Sequence, residues 1–217
     1  EHWRRQQLQR ISTILKRHEL EIIQALEEDL RKPPTEAIFE VIAIKQELNL
    51  VQKNLKKWMR PRPIEIPLAL KPGKASLMLE PKGCVLIIGP WNYPFSLTIQ
   101  PLISAIAAGN TAVLKPSEKA PATSALIGRL IPKYFSKKIV RVVEGDGEAA
   151  AALLEEPFDH IFFTGGAAIG KKVMATAAKN LTPITLELGG QSPAIVLNDA
   201  DLTVTARRLV WGKGLNA

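Results

Sequence analysis

After Pro81 the chain alternates apolar runs of strand length with stretches of helical periodicity, and this alternation narrows the fold more than any other feature. The runs are residues 84–88, 111–115, 139–143, 160–163, 184–188 and 194–197. Helical patterns fill most of the gaps, at 96–108, 121–134, 148–154, 169–178 and 202–211. Strand, helix, strand order demands right-handed crossovers and predicts an α/β fold with a mainly parallel, doubly wound sheet. The runs lack polar alternation, as they must if helices cover both sheet faces. No repeat or low-complexity tract interrupts the pattern.

The first eighty residues differ. Leu8, Ile11, Ile14, Leu15, Ile22, Leu26 and Leu30 fall at helical spacing and predict one amphipathic helix over 1–30. Lys32-Pro33-Pro34 breaks it. A second helix is predicted over 35–58, with Ile38, Val41, Ile44, Leu48, Val51 and Leu55 on one stripe. Pro61, Pro63, Pro67, Pro72 and Gly73 punctuate a connector with short extended pieces at 64–66 and 75–80. The division expected is a helical segment 1–60 packed on the core, a connector 61–80, and a main domain 81–217.

Charge excludes some functions. The formal charge is +8, but the excess is spread: 15 Lys/Arg against 11 Asp/Glu before residue 81, and 14 against 10 after it. Only Lys53, Lys56, Lys57, Arg60 and Arg62 cluster, which reads as a solvated helix face, so no nucleic-acid partner is expected. No apolar run reaches the ~18–20 residues of a membrane span. EHWRRQQLQR is not followed by the apolar stretch of a secretory signal. One cysteine, Cys84, rules out an intrachain disulfide framework. His2, His18 and His160 are scattered, so no metal site is expected. A reducing, cytoplasmic setting fits these features.

In open α/β sheets ligands lie beyond the carboxyl ends of the strands. The segments there are Gly89–Phe95 (GPWNYPF), Lys115-Pro116-Ser117-Glu118, Glu144-Gly145-Asp146-Gly147, Thr164–Gly170, and Glu187 with Gly189-Gly190. All are polar or glycine-rich, and all are expected on one rim. Thr164–Gly170 is a turn into a helix that lets backbone N–H groups approach a phosphate, or else a plain strand–helix turn; there is no GxGxxG. Lys115 and Glu118 suit a ribose, and Pro-Ser-Glu equally suits a helix N-cap. Glu187 stands in an apolar strand. A buried carboxylate is costly unless paired, protonated or functional, so it is a candidate general base or one half of a structural ion pair.

GPWNYPF, TIQPLISAIAAGNTAVLKPSE, FFTGG and LTPITLELGGQSPAIV, in this order, resemble motifs of the aldehyde dehydrogenase family, most closely its shorter, class-3-like branch. The resemblance covers nearly the whole chain. It implies a Rossmann-like domain binding NAD or NADP, an aldehyde substrate, and a homodimer at full length. It implies that Asn92 is the oxyanion amide and that Glu187 activates the water that hydrolyses a thioester. Lys115 and Glu118 then lie around the adenosine ribose, Gly165, Gly166 and Trp91 beside the pyrophosphate, and Gly189 with Gly190 near the nicotinamide.

Two departures matter. Many family members carry Ser where Gly166 stands, so a hydroxyl contact to pyrophosphate is lost and backbone N–H must compensate. The family's catalytic cysteine follows soon after the segment matching 211–217, so the expectation is part of a longer enzyme. Cys84, expected to be buried at the far end of the first strand, is no substitute. The alternatives are a nucleotide-binding module without catalysis and a CoA-acylating relative. Glu187 argues against the second, because CoA as acceptor needs no water-activating carboxylate.

Overall fold

The computed structural model describes residues 1–215; Asn216 and Ala217, at the end of the segment compared with the family, lie outside the described residues. Helix α1 (His2–Arg17) and helix α2 (Glu19–Leu30) replace the single helix expected over 1–30. The break is at His18, whose backbone leaves helical geometry (φ −122°, ψ 19°). Its ring turns inward and bonds Glu21 through Nδ1 and the Tyr134 hydroxyl through Nε2. The bend lets both apolar stripes, Leu8/Ile11/Ile14/Leu15 and Ile22/Ala25/Leu26, reach the core. Helix α3 (Pro34–Trp58) starts on a proline, which suits the first helical turn.

The connector forms a small antiparallel pair, β1 (Arg62–Ile64), which lies two residues before the extended piece expected at 64–66, and β2 (Ala75–Leu77), which is shorter than the one expected at 75–80. The main sheet holds β3 (Cys84–Ile88), β4 (Thr111–Lys115), β5 (Val140–Val142), β6 (His160–Gly165) and β7 (Ile184–Leu188), all parallel, in the order β5-β4-β3-β6-β7. Between and after them run α4 (Ser96–Ala108), α5 (Pro121–Tyr134), α6 (Gly147–Glu155), α7 (Ala167–Lys179) and α8 (Leu202–Gly214). The fold is therefore α/β with a parallel sheet covered on both faces, as the alternation predicts, and Rossmann-like, as the resemblance implies. The sixth expected strand, 194–197, is absent from the described sheet. Pro193 offers no N–H to a ladder, and Ile195 and Leu197 stand exposed.

Successive residues of a strand face opposite sides, so β3 feeds two cores. Val85 and Ile87 join Ala112, Leu114 and the stripes of α1 to α5 in one continuous cluster. Leu86 and Ile88 join Ile161 and Phe163 against Leu154, Val173 and Ala177 of α6 and α7. Each fully buried Leu or Ile contributes about 1.5–3 kcal/mol. The N-terminal helices thus share the core of the sheet. They also cap its helices: α5 has no side-chain cap of its own, and Asp29 of α2 accepts from Ala122 N and Thr123 N, both at 2.8 Å. Ser117 is not the cap that Pro-Ser-Glu suggested, since the helix begins at Pro121. Helix α8 buries none of its residues, and no helix among the described residues is long and apolar enough to cross a membrane.

Candidate active site and cofactor cleft

Strand β4 adds to one side of β3 and β6 to the other, so the chain reverses its winding between β3 and β6. The loops leaving these two strands diverge there, and a crevice opens between them. The crevice is part of an open cleft of about 1600 Å³. Trp91, Asn92, Lys115, Glu118, Gly165, Gly166, Glu187 and Gly189 all line it. Of the 144–147 segment only Gly147 does. Asp146 instead caps α6, accepting from Glu148 N at 2.9 Å, and Glu144 turns toward Gly128 on α5.

The loop after β3 is tightly tied down. Gly89 N donates to the Lys115 carbonyl at 3.0 Å, and a β-carbon at Gly89 would stand 2.1 Å from Thr98 Oγ1. The Thr98 hydroxyl donates to the Pro94 carbonyl at 2.7 Å. Asn92 is half-buried and Trp91 is exposed. Lys32 Nζ donates to the main-chain carbonyl of Asn92 at 2.7 Å. Asn92 thus lines the cleft from a loop whose backbone is held.

Lys115 ends β4 with its side chain buried, and its ammonium meets Glu118 Oε2 at 2.8 Å and the Pro116 carbonyl at 3.1 Å. The hydrogen bond from Lys115 holds the Glu118 carboxyl below the usual carboxylate range. Glu118 is partly open to solvent, so the rim presents an ionised carboxylate steadied by one buried cation.

After β6 the chain turns through Gly165 and Gly166 into α7. A β-carbon on Gly165 would come 2.6 Å from Phe163 Cζ, so the glycine is there for space. Gly166 is the N-cap of α7, in extended backbone with nothing within 4 Å of a β-carbon and no side-chain cap. Gly166, Ala168 and Ile169 line the cleft and no side chain caps the first turn of α7, a setting that favours an anion. Thr164 Oγ1 is buried with no partner among the described residues.

Glu187 is not buried as its apolar strand implied; it is exposed. β7 pairs only with β6 in the described sheet, and its covered face is the opposite one, where Ile184 and Leu186 pack on the cluster of Leu154, Val173 and Ala177. Glu187 stands opposite Thr164, and alternation puts it on the same face as Thr185. Cys84 is also less buried than expected. It is half-buried at the amino end of β3, away from the rim, with its N–H donating to Asp159 Oδ2 at 2.7 Å.

A family model described as the aldehyde dehydrogenase family matches residues 2–217. The chain belongs to the aldehyde dehydrogenase family. It is 49% identical over 212 residues to aldehyde dehydrogenase family 3 member H1 of Arabidopsis thaliana, covering 97% of this chain and 44% of that protein. It is 42% identical over 216 residues to the dimeric NADP-preferring aldehyde dehydrogenase of Canis lupus familiaris, covering 99% of this chain and 48% of that protein. Among solved structures, a substrate-bound Staphylococcus aureus AldH superposes with a TM-score of 0.94 at 43% identity, covering 98% of this chain and 46% of that one. The chain therefore spans under half the length of the relatives it matches.

Sequence reasoning missed two aldehyde dehydrogenase site neighbours, Lys32 and Glu40. Lys32 was read only as part of a helix breaker. Glu40 carried a usable signal: it shares the apolar face of α3 with Ala37, Val41 and Ile44, and a carboxylate there needs a partner.

Proposed function

We propose that this chain is the cofactor-binding part of an enzyme that oxidises an aldehyde to a carboxylic acid with NAD or NADP. The observation that supports it is the meeting of Asn92, the Lys115–Glu118 pair, the open first turn of α7, and Glu187 in one cleft at the switch point. The cleft suits a dinucleotide. The α7 N-terminus would take the pyrophosphate, with Gly165 and Gly166 keeping side chains out of the way and Trp91 beside them. Glu118 would accept from ribose hydroxyls, with Lys115 holding it in place. Gly189 has no neighbour within 4 Å of a β-carbon and would let backbone lie close to the nicotinamide end. Bound NAD(P) supplies the hydride acceptor.

The residues of the chain then have separate tasks. A cysteine thiolate from outside this chain attacks the aldehyde, and the Asn92 amide N–H holds the oxygen as negative charge develops; loss of one such donor costs about 10²–10³ in rate. After oxidation the acyl group sits on sulfur as a thioester. Glu187 takes a proton from water, the hydroxide displaces the thiolate, and the acid leaves. The exposed position of Glu187 gives it access to that water. A homodimer, and a cytoplasmic location, complete the reading; one relative is named as dimeric.

Rapid-mixing kinetics on the full-length enzyme test it. Glu187→Gln is expected to give a normal burst of reduced cofactor followed by slow steady turnover. Absence of a burst, or undiminished steady turnover, would remove Glu187 from the hydrolytic step. Release that depends on CoA would point to the acyl-transferring alternative, and cofactor binding with no turnover to a non-catalytic module.

A further inference from the structure

The Asn92 loop is held from behind by Lys32, in the link between α2 and α3, and by Glu40 of α3. Lys32 and Glu40 are 5% and 2% exposed and form an ion pair at 3.0 Å. Lys32 Nζ also donates to the Asn92 carbonyl at 2.7 Å and lies 3.8 Å from the centre of the Tyr93 ring. The second carboxylate oxygen of Glu40 accepts from Ser96 N at 2.8 Å and Phe95 N at 3.2 Å. Helix α4 has no side-chain cap of its own, so a carboxylate from α3 satisfies its free N–H groups.

Burying an ion pair is a poor way to add stability, because desolvation cancels much of the attraction. An apolar pair would fill the same space. What it would not do is fix a peptide carbonyl and two peptide N–H groups, across residues 92–96, in one geometry. The pinned carbonyl sets the peptide plane that follows Asn92, and that plane sets where its side chain starts.

We propose that Lys32 and Glu40 are positioning residues for the Asn92 amide, holding it where an oxyanion forms. The proposal rests on the oxyanion role given above. Its physical basis is the steep distance dependence of such a donor, which must sit about 2.7–3.1 Å from the developing charge. A displacement of about 1 Å is enough to cost ~10² in rate.

The experiment is a double-mutant cycle in the full-length enzyme. Single-turnover hydride transfer and equilibrium NAD(P) affinity are measured for the unmodified enzyme, Asn92→Ala, Glu40→Gln, and both together. Lys32→Gln/Glu40→Gln, alone and with Asn92→Ala, repeats the cycle with no unpaired buried charge. Glu40→Gln is expected to slow hydride transfer about tenfold with cofactor affinity unchanged, and to have less than a twofold effect once Asn92 is Ala. An equal loss on both backgrounds, no loss on either, or loss of cofactor affinity in both sets of variants would overturn the proposal. Unimpaired hydride transfer in Asn92→Ala would instead overturn the oxyanion role, and the positioning role with it.

Discussion

Phe163 and Gly165 are matched by shape: the phenylalanine ring occupies the space a β-carbon on Gly165 would need, at 2.6 Å from Cζ. One residue on, Gly166 faces open space. The two adjacent glycines therefore answer different demands. Gly165→Ala is expected to destabilise by about 1–3 kcal/mol as the buried ring shifts, and to weaken cofactor binding by displacing the start of α7. Gly166→Ser is expected to leave stability unchanged or raise it by a few tenths of a kcal/mol, because Ser is a good N-cap and the backbone there is extended. It also restores a hydroxyl beside the proposed pyrophosphate site, so cofactor should bind more tightly. Urea unfolding and cofactor titration on both variants separate the two roles.

The Lys115–Glu118 pair predicts cofactor preference. Glu118→Gln keeps an acceptor for a ribose hydroxyl but removes the charge that repels a 2′-phosphate. The ratio of NADP to NAD affinity is expected to rise about tenfold, a shift of ~1.4 kcal/mol. Because Lys115 lowers the Glu118 pKa, the contribution of the pair is complete above the ordinary Glu value of about 4.3 and is lost as pH falls through the lower folded value. Glu118 thus keeps its charge from pH 6 to 8, and a change in discrimination across that range comes from the 2′-phosphate, whose second pKa is about 6. Parallel titrations of both cofactors check both statements.

His160 predicts a pH-dependent stability. Burial, and then Lys82, lower its pKa in the fold, and its Nε2 meets Thr185 Oγ1 at 3.0 Å while Nδ1 is buried without a partner among the described residues. The unfolded chain takes up the proton near pH 6.5 and the folded chain only at lower pH. Stability is therefore full above about pH 6.5 and falls as pH drops toward the folded value. His160→Gln should flatten that part of the curve. Urea midpoints at pH 7.5, 6.5 and 5.5 for both proteins provide the check, and an unchanged slope would exclude His160 as its source.

Asp29 predicts that the N-terminal helices stabilise the sheet directly. Asp29→Ala removes both acceptors at the start of α5 and is expected to cost about 1–2 kcal/mol. Asp29→Asn keeps one acceptor and should lose less. A result within error of zero for Asp29→Ala would mean that water replaces the cap without cost.

The sequence placed five of its expected strands close to where they stand, because a buried parallel strand must be an unbroken apolar run and α-helices must fill the crossovers. It failed at 194–197 for the converse reason: an apolar run becomes a strand only where it joins a ladder, and this run joins none in the described sheet, with Pro193 before it lacking the N–H a ladder needs. It read 1–30 as one helix because His18 breaks no helical rule locally. At the bend its ring meets Tyr134, more than a hundred residues away.

What the sequence determined alone is the parallel α/β plan and the residue types gathered at the strand ends, since both follow from periodicity and from the order of elements. The tertiary structure decided how those residues are held and how far they are buried. Glu187 is exposed because the helices on β7 pack against the opposite face, and the Asn92 loop is held because Lys32, from the link between α2 and α3, and Glu40, from α3, reach it from far away in sequence. Burial and hydrogen-bond partnership depend on what packs against a residue, and no local pattern of side chains contains that information.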